Sequence, residues 1–372
     1  MTDDFRWKSV EPSTSAFLGP VPGGPGRPVR VRNWAEFLAE FPRPKDEGGA
    51  AASSYLWDAV SGWFVNGGDS CFIVGTAESG DPVAAYRGDA DEGTGLAALE
   101  SVPEVKTVIV PDLWQAGEDA PAIAKAVAGH CADMGNRMAV LHTRPGLTPG
   151  EAVKVPELFG LDHAEAQFTT VYYPWVRAAG TDGNRRLVPP TGHVAGVWAR
   201  VDAARGVHVA PGNQIVQGVT SVERELTDAE QALTNTAQVN VLGNSSGDGV
   251  HVWGVRTLSQ DTNWTYIHVR RLINCLTESI KTGTTWATFD PNDDRVRSSI
   301  HTEVSSFLMG QWREGVLSGK TPQEAFYVIC DKTNNPPESV AANKLVCDIG
   351  VAANRPAEFI PFRVTQTVGA SD

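Results

Sequence analysis

Basic residues are in short supply in this 372-residue chain: 31 Lys and Arg stand against 44 Asp and Glu, a net charge of −13. A protein that grips nucleic acid needs a basic face to neutralise phosphates. The short basic pieces at 27–32 and at Arg270-Arg271 are too small to supply one, so no nucleic-acid partner is expected. Cysteine is scarce and scattered. Cys71, Cys131, Cys275, Cys330 and Cys347 include no Cys-x-x-Cys pair. An odd, dispersed set fits buried thiols in a reducing compartment better than a disulfide framework. The opening "MTDDFRWKSVEPS" is acidic and polar where a signal peptide would be basic and then apolar. No apolar run approaches a membrane span, which predicts a soluble chain made in a cytoplasm, without membrane anchoring.

Chemical motifs are equally thin. No Gly-x-Ser-x-Gly elbow and no Gly-x-Gly-x-x-Gly fingerprint occurs, and the eight histidines never take a metal-binding spacing. "GVLSGKT" (315–321) has three residues between its glycines where a phosphate loop needs four, and it follows a helical pattern instead of a strand. A helix C-cap glycine followed by a Thr321 cap explains every residue of it. "FDPNDD" (289–294) lacks the turn glycine and distal Glu of a calcium loop. It reads better as an acidic turn opening a helix, with Asp293 and Asp294 complementing the dipole. His193 in "TGHVAG" and His208 in "GVHVAPG" flank glycines but lie near no nucleophile motif, which favours structural or exposed histidines. The chain therefore offers no catalytic residues, no metal site and no cofactor site, and predicts a protein that is not an enzyme.

What is present is a folded-protein composition, 41% apolar and 20% charged, long enough for two domains. The first 29 residues, rich in Pro, Gly and Ser, read as an extended arm. From 30 to 187 short β-rich runs at 71–75, 107–111, 138–142 and 169–173 alternate with helical patterns at 54–65 and 121–134. That alternation predicts an α/β domain with a largely parallel sheet. The turn-rich stretch 177–192 suggests a boundary at 187/188, followed by an α+β domain over 188–372. This second part shows a helix at 192–204, a capping box at Thr227-x-x-Glu230, strands near 239–242 and 250–257, and two amphipathic helices. Val269, Leu272, Ile273, Leu276 and Ile280 share a face of the first; Val296, Ile300, Val304, Phe307, Leu308 and Trp312 share a face of the second, read as 295–318. Thr321-Pro322-Gln323-Glu324 is a complete helix-start signal, and strands are expected at 325–331, 344–351 and 358–366.

The last of these strands poses a question. Ile360, Phe362 and Val364 alternate with other residues as in a half-buried strand. Pro361 has no N–H to donate and so suits an edge. Which strand it pairs with is not evident from the sequence.

Long stretches of the C-terminal half closely resemble the tail sheath proteins of contractile phage tails and related injection systems. They include 188–213, "TDAEQALTN" (227–235), "VNVLGNSSGDGVHVWGVRTLS" (239–259), "YIHVRRLINCLTESI" (266–280), 307–338 and 347–366. Residues 13–175 match more loosely, through "STSAFLGPVPGGP", "YLWDAVSGWFVNGGDSCFIV" and "VIVPDL". The resemblance implies a subunit of hexameric rings stacked helically round an inner tube, with baseplate, cap and paralogous sheath proteins as further partners. It implies assembly in the cytoplasm of a producing bacterium into a contractile particle. It places 188–372 inside against the tube and 30–187 outside.

The family lends terminal arms to neighbouring copies. Here that points to a C-terminal arm over 355–372 carrying Phe359, Ile360, Phe362, Val364 and Gln366, its strand pairing in another subunit. An N-terminal arm would carry Phe5, Trp7 and Val10. Family members usually open with a longer arm; the twelve residues before Ser13 reach roughly 40 Å at about 3.3 Å each. The helix bearing Arg297, Arg313 and Glu314 is expected to face the tube. The alternatives are a sheath-like adaptor at baseplate or cap, and an α/β enzyme with an unread site.

Overall fold

In a computed structural model of the chain the described residues are 14–21, 27–43, 54–76, 80–179, 185–244, 247–353 and 360–368. The strands among them are, in chain order, β1 (Ser15–Gly19), β2 (Val29–Val31), β3 (Cys71–Gly75), β4 (Thr107–Ile109), β5 (Met138–His142), β6 (Thr169–Tyr173), β7 (Val176–Ala179) and β8 (Arg185–Val188). They continue with β9 (Gln214–Ile215), β10 (Val219–Val222), β11 (Val239–Asn244), β12 (Val250–Val252), β13 (Phe326–Ile329), β14 (Lys344–Val351) and β15 (Ile360–Thr367). The chain divides into two compact units between Arg270 and Arg271.

In the first unit nine strands form one sheet in the order β2-β3-β1-β4-β5-β6-β11-β12-β9. The six from β3 to β11 run parallel to one another. β2 and the β12–β9 pair add antiparallel edges. β1 has β3 on one side and then β4, β5 and β6 in turn on the other, a doubly wound order that requires helices on both faces. Strands covered on both faces read as continuous apolar runs, and every residue of β1, β5 and β6 is buried. Helix Leu56–Val65 leads into β3 and helix Ala120–Met134 into β5. The latter ends on Gly135, whose left-handed backbone (φ 65°) lets its N–H bond Cys131 O at 3.0 Å.

Helix Leu56–Val65 packs on helix Thr191–Arg205 backbone to backbone. A Cβ at Gly192 would stand 2.1 Å from Ala59 O, one at Gly196 2.5 Å from Trp63 O, and one at Gly62 2.5 Å from His193 Nδ1. The glycines of "TGHVAG" thus admit a neighbouring helix. His193 is buried beneath it, and that burial pulls its pKa down to about 4.

The boundary read at 187/188 is corrected. Strands β9, β11 and β12, all beyond it, join the same sheet as β1–β6, and β11 pairs directly with β6. The turn-rich stretch that looked like a linker holds most of β7 and all of β8, which pair with each other, and β7 also pairs with β10 in a separate antiparallel sheet.

In the second unit, helix Ile267–Gly283 (which begins before Arg271) buries Leu272, Ile273, Leu276 and Ile280. Helix Asp294–Arg313 opens on Asp293, whose carboxylate accepts from Val296 N at 2.9 Å, and buries Val296, Ile300, Val304 and Leu308. It stops at Arg313, short of the expected 318. Gly315 (φ 77°) donates to Trp312 O at 3.0 Å, and Val316 N donates to Gln311 O at 2.9 Å. This is the paired bonding of a glycine-terminated helix, and it accounts for "GVLSGKT" without a phosphate. The expected helix at Thr321 is a single turn, Pro322–Ala325, and Thr321 makes no side-chain cap bond. The alternating run Phe326–Ile329 takes the chain into β13 instead, with Ala352 N bonded to Ala325 O at 2.8 Å.

Candidate assembly surface

The C-terminal sheet is antiparallel, in the order β13-β14-β15. β14 is its centre because both of its neighbours match it: Phe326 to Ile329 pair with Val351 to Asp348, and all eight residues of β15 pair with Lys344–Val351. Ile360 and Val364 are buried, as is Val368 just beyond the strand, while Pro361, Arg363, Thr365 and Thr367 are exposed. The period-two pattern read from the sequence is the one the strand displays, and Pro361 lies on an edge strand opposite Gly350.

The strand is not orphaned within its own chain, however. β14 offers it a complete antiparallel partner, where the family resemblance leads to the expectation of a partner in another subunit. Phe362 is half-buried opposite Ile349. Gln366 Nε2 donates to Lys281 O at 2.9 Å and to Thr284 Oγ1 at 2.8 Å. Arg363 stands directly opposite Asp348 and grips it in two bonds, Nε to Oδ1 at 2.6 Å and Nη2 to Oδ2 at 3.0 Å. That bond to Arg363 holds the Asp348 carboxyl below its ordinary range, against a smaller opposing effect of burial. Phe359 lies outside the described residues, as do Phe5, Trp7 and Val10.

The outward face carries Tyr327 and Ile329 of β13, exposed at 36% and 39%. The Tyr327 ring covers Gly350, where a Cβ would lie 2.1 Å from Tyr327 Cε1. These side chains, with Asp348, Pro361 and Arg363, rim a shallow depression on the sheet.

The helix read as tube-facing divides. Arg313 and Glu314, at its C-terminal end, are exposed. Arg297 is not: it is 7% exposed. Its guanidinium donates to Asn292 O at 3.0 Å, Asn292 Oδ1 at 2.6 Å and Asp294 Oδ1 at 2.5 Å. It fastens the acidic turn to the first helical turn, so its place as a surface residue is corrected.

Doubly wound sheets hold ligands outside the carboxyl ends of their strands, where the strand order reverses. In this chain Asp112 sits there, just past β4. Its carboxylate accepts from Ser54 Oγ at 2.5 Å and Tyr55 N at 2.7 Å, and a Cβ at Gly19 would come within 3.2 Å of it. The start of the chain's own helix occupies the crevice. Burial pushes the Asp112 pKa up to about 6. His142, at the end of β5, is wholly buried edge-on to Trp175, and burial pulls its pKa down to about 3. Neither ring nitrogen has a partner among the described residues.

Two family models match adjoining stretches of the chain: the phage tail sheath protein central domain over 87–258 and the phage tail sheath C-terminal domain over 259–367. Together they span well over half of it. The chain belongs to the phage tail sheath family. It is 28% identical to the tail sheath protein of Vibrio phage KVP40 over 192 residues, which are 50% of this chain and 28% of that protein. It is also 28% identical to the tail sheath protein of Burkholderia phage BcepMu over 205 residues, 52% of this chain and 42% of that one. The matched parts are less than half the length of either relative.

Solved structures agree along nearly the whole chain. The helical sheath of the anti-feeding prophage (AFP) in its contracted state superposes with a TM-score of 0.76 at 26% identity, covering 97% of this chain and 96% of that one. The sheath complex of the extracellular contractile injection system PVC, also contracted, gives 0.73 at 28% identity, covering 94% and 90%.

Proposed function

We propose that this chain is a structural subunit of a contractile sheath, arranged as hexameric rings stacked helically round an inner tube. The observation that carries this reading is the likeness to the contracted AFP sheath chain along 97% of the residues. A comparable likeness to a chain of the AFP baseplate structure, with a TM-score of 0.75, supports contact with a baseplate. The tube and a cap are the remaining partners, within a virion tail or injection particle built in the producing cell. The work is mechanical. Rings rotate and widen as new contacts form between copies, the subunits move nearly as rigid bodies, and the terminal segments serve as hinges. No nucleotide hydrolysis enters, because the energy lies in contacts summed over many copies.

The C-terminal strand is the linking element. β15 is held to β14 by backbone bonds and by inward Ile360 and Val364, all of which β15 of another copy supplies equally well. Exchange of an identical element between protomers is a low-cost route to assembly. Phe359 belongs to the same arm. Phe5, Trp7 and Val10 form a second, N-terminal link, and Arg313 and Glu314 contribute to the tube-facing surface.

Negative-stain microscopy of the chain, alone and co-expressed with its tube protein, tests the proposal. Hollow tubes or stacked rings are expected, and removal of 360–372 should leave only dispersed, folded subunits. Assembly that persists without those residues would sink the strand exchange. Dispersed subunits of the intact chain, even with tube protein present, would sink the sheath reading itself.

A further inference from the structure

Two of the five cysteines meet across the C-terminal sheet. The β13–β14 register ends at Ile329 opposite Asp348, and its next step sets Cys330 opposite Cys347. Both side chains are buried, at 4% and 2% exposure, on neighbouring strands of the sheet. The type of pairing follows from the ladder. Ala352 N bonds Ala325 O, so that opposed pair is hydrogen-bonded. Counting along the strands makes Cys330–Cys347 a non-hydrogen-bonded pair. Opposed residues at such positions have Cα atoms about 4.5 Å apart, inside the range a disulfide bridges.

The chain beyond Cys330 is fastened so that this approach is kept. Asn335 takes the place of a strand residue against β14: its Nδ2 donates to Val346 O at 2.8 Å and its Oδ1 accepts from Val346 N at 2.7 Å. Asn334 Nδ2 donates to Ile329 O at 2.7 Å. Cys330 is thus held from both sides, by the ladder before it and by Asn335 after it.

We propose that Cys330 and Cys347 are a reversible redox pair, closed to an intrachain disulfide by a low-molecular-weight disulfide and reopened by a thiol. The chemistry balances with the oxidant named. The Cys330 thiolate attacks one sulfur of oxidised glutathione, forming a mixed disulfide and expelling glutathione thiolate. Cys347, deprotonated, attacks the Cys330 sulfur of that mixed disulfide, forming the Cys330–Cys347 bond and expelling the second glutathione thiolate. Two protein thiols are oxidised, one glutathione disulfide is reduced, and two protons leave. The order of attack has a physical basis. Contact with the Cys347 thiol lowers the Cys330 pKa against the effect of burial, and the Arg297 guanidinium adds to it, whereas the same contact and burial raise that of Cys347. Arg297 is itself buried, and its Nε has no hydrogen-bond partner among the described residues. The bond would fix β13 to the central strand β14 while leaving the β14–β15 ladder untouched.

The test is refolding of the unaltered full chain from denaturant in a buffer of reduced and oxidised glutathione, so that burial does not limit access. Acid-quenched alkylation and peptide mapping then locate every linkage. A single linked peptide containing Cys330 and Cys347 is expected, with Cys71, Cys131 and Cys275 alkylated. Amide exchange in β13 should slow on the order of tenfold or more relative to the reduced protein and recover on adding dithiothreitol. Free thiols at both positions, a persisting glutathione adduct on either, or linkage to Cys275 overturns the proposal. So does a bond that forms without slowing exchange in β13. No variant has to fold for the result to be read.

Discussion

The nine-stranded sheet of the first unit and the C-terminal sheet of β13, β14 and β15 are finished to different degrees. In the large sheet, every residue of β1, β5 and β6 is buried, and helices that touch through Gly62, Gly192 and Gly196 help to close its surroundings. In the small sheet, β13 alternates half-buried with exposed residues and β15 alternates inward with outward ones. Among the described residues neither β13 nor β15 has a strand on its outer edge. A sheet covered on both faces is a scaffold, whereas one with open edges and an exposed row of Tyr327, Ile329 and Pro361 can accept further chain. The family to which the chain belongs makes sense of that division. On the proposed function, one region holds a fixed shape while the other joins copies.

The comparison is broken most directly at the glycine contact. Gly192→Val pushes a branched side chain into the backbone of Ala59, which has no freedom to yield, and should cost more than about 4 kcal/mol. Thermal unfolding and amide exchange over β4–β6 would read the loss. If the variant were as stable as the parent, the backbone-to-backbone packing would be wrong.

Acid should act on the same region next most strongly. His130, His142 and His193 lie in the first unit, with pKa values lowered to about 4, 3 and 4 by burial, helped at His130 by the Arg137 charge. The unfolded chain takes up their protons below pH 6.5 while the fold refuses them, so stability is full above that pH and falls as pH drops. At pH 5.5 each histidine costs about 1.4 kcal/mol. Asp112 works the other way: its folded pKa of about 6 lies above the unfolded value, so protonation returns about 0.8 kcal/mol by pH 5.5. Three histidines outweigh one carboxyl, leaving a net loss of about 3 kcal/mol. Residues 271–372 hold only the exposed His301. Exchange measured from pH 7 to 5.5 should therefore loosen β4–β6 before β13–β15, and the reverse order would contradict the assignment of buried, neutral histidines to the large sheet.

The parts of the fold that could be read from the sequence were those set by local pattern. The runs CFIVG and MAVLH are uninterrupted because parallel strands are covered twice, and the capping box at Thr227 and Glu230 forms as written. Gly315 announces the end of its helix, and the stop falls at Arg313, just past the last apolar position at Trp312 and short of the 318 read from the sequence. What escaped depends on contacts remote in sequence. Residues 177–192 look like a linker until β10 is seen to pair with β7. Arg297 looks like a surface cation until Asn292 and Asp294 are found closing over it. The partner of β15 lies across residues 354–359, and no periodicity names it. The Cys330–Cys347 contact is a property of register alone, so counting cysteines led toward isolated thiols.

The smallest effect separates two ways of holding β15. Asp348 and Arg363 are paired across the ladder, but their side chains are 26% and 62% exposed. An ion pair so open to solvent, even a two-bonded one, is worth about 0.5–1 kcal/mol in a double-mutant cycle of Asp348→Asn and Arg363→Met, and salt should shrink it further. The inward side chains of Ile360 and Val364, each 2% exposed, contribute about 1.5–3 kcal/mol apiece by burial. On this reckoning the strand is anchored by its apolar row, and the ion pair serves to select register. Exchange of the β15 amides in low and high salt decides between them. Protection nearly unchanged by salt fits the apolar anchor. A coupling above about 2 kcal/mol, with β15 opening at high salt, would mean that charge holds β15 in place.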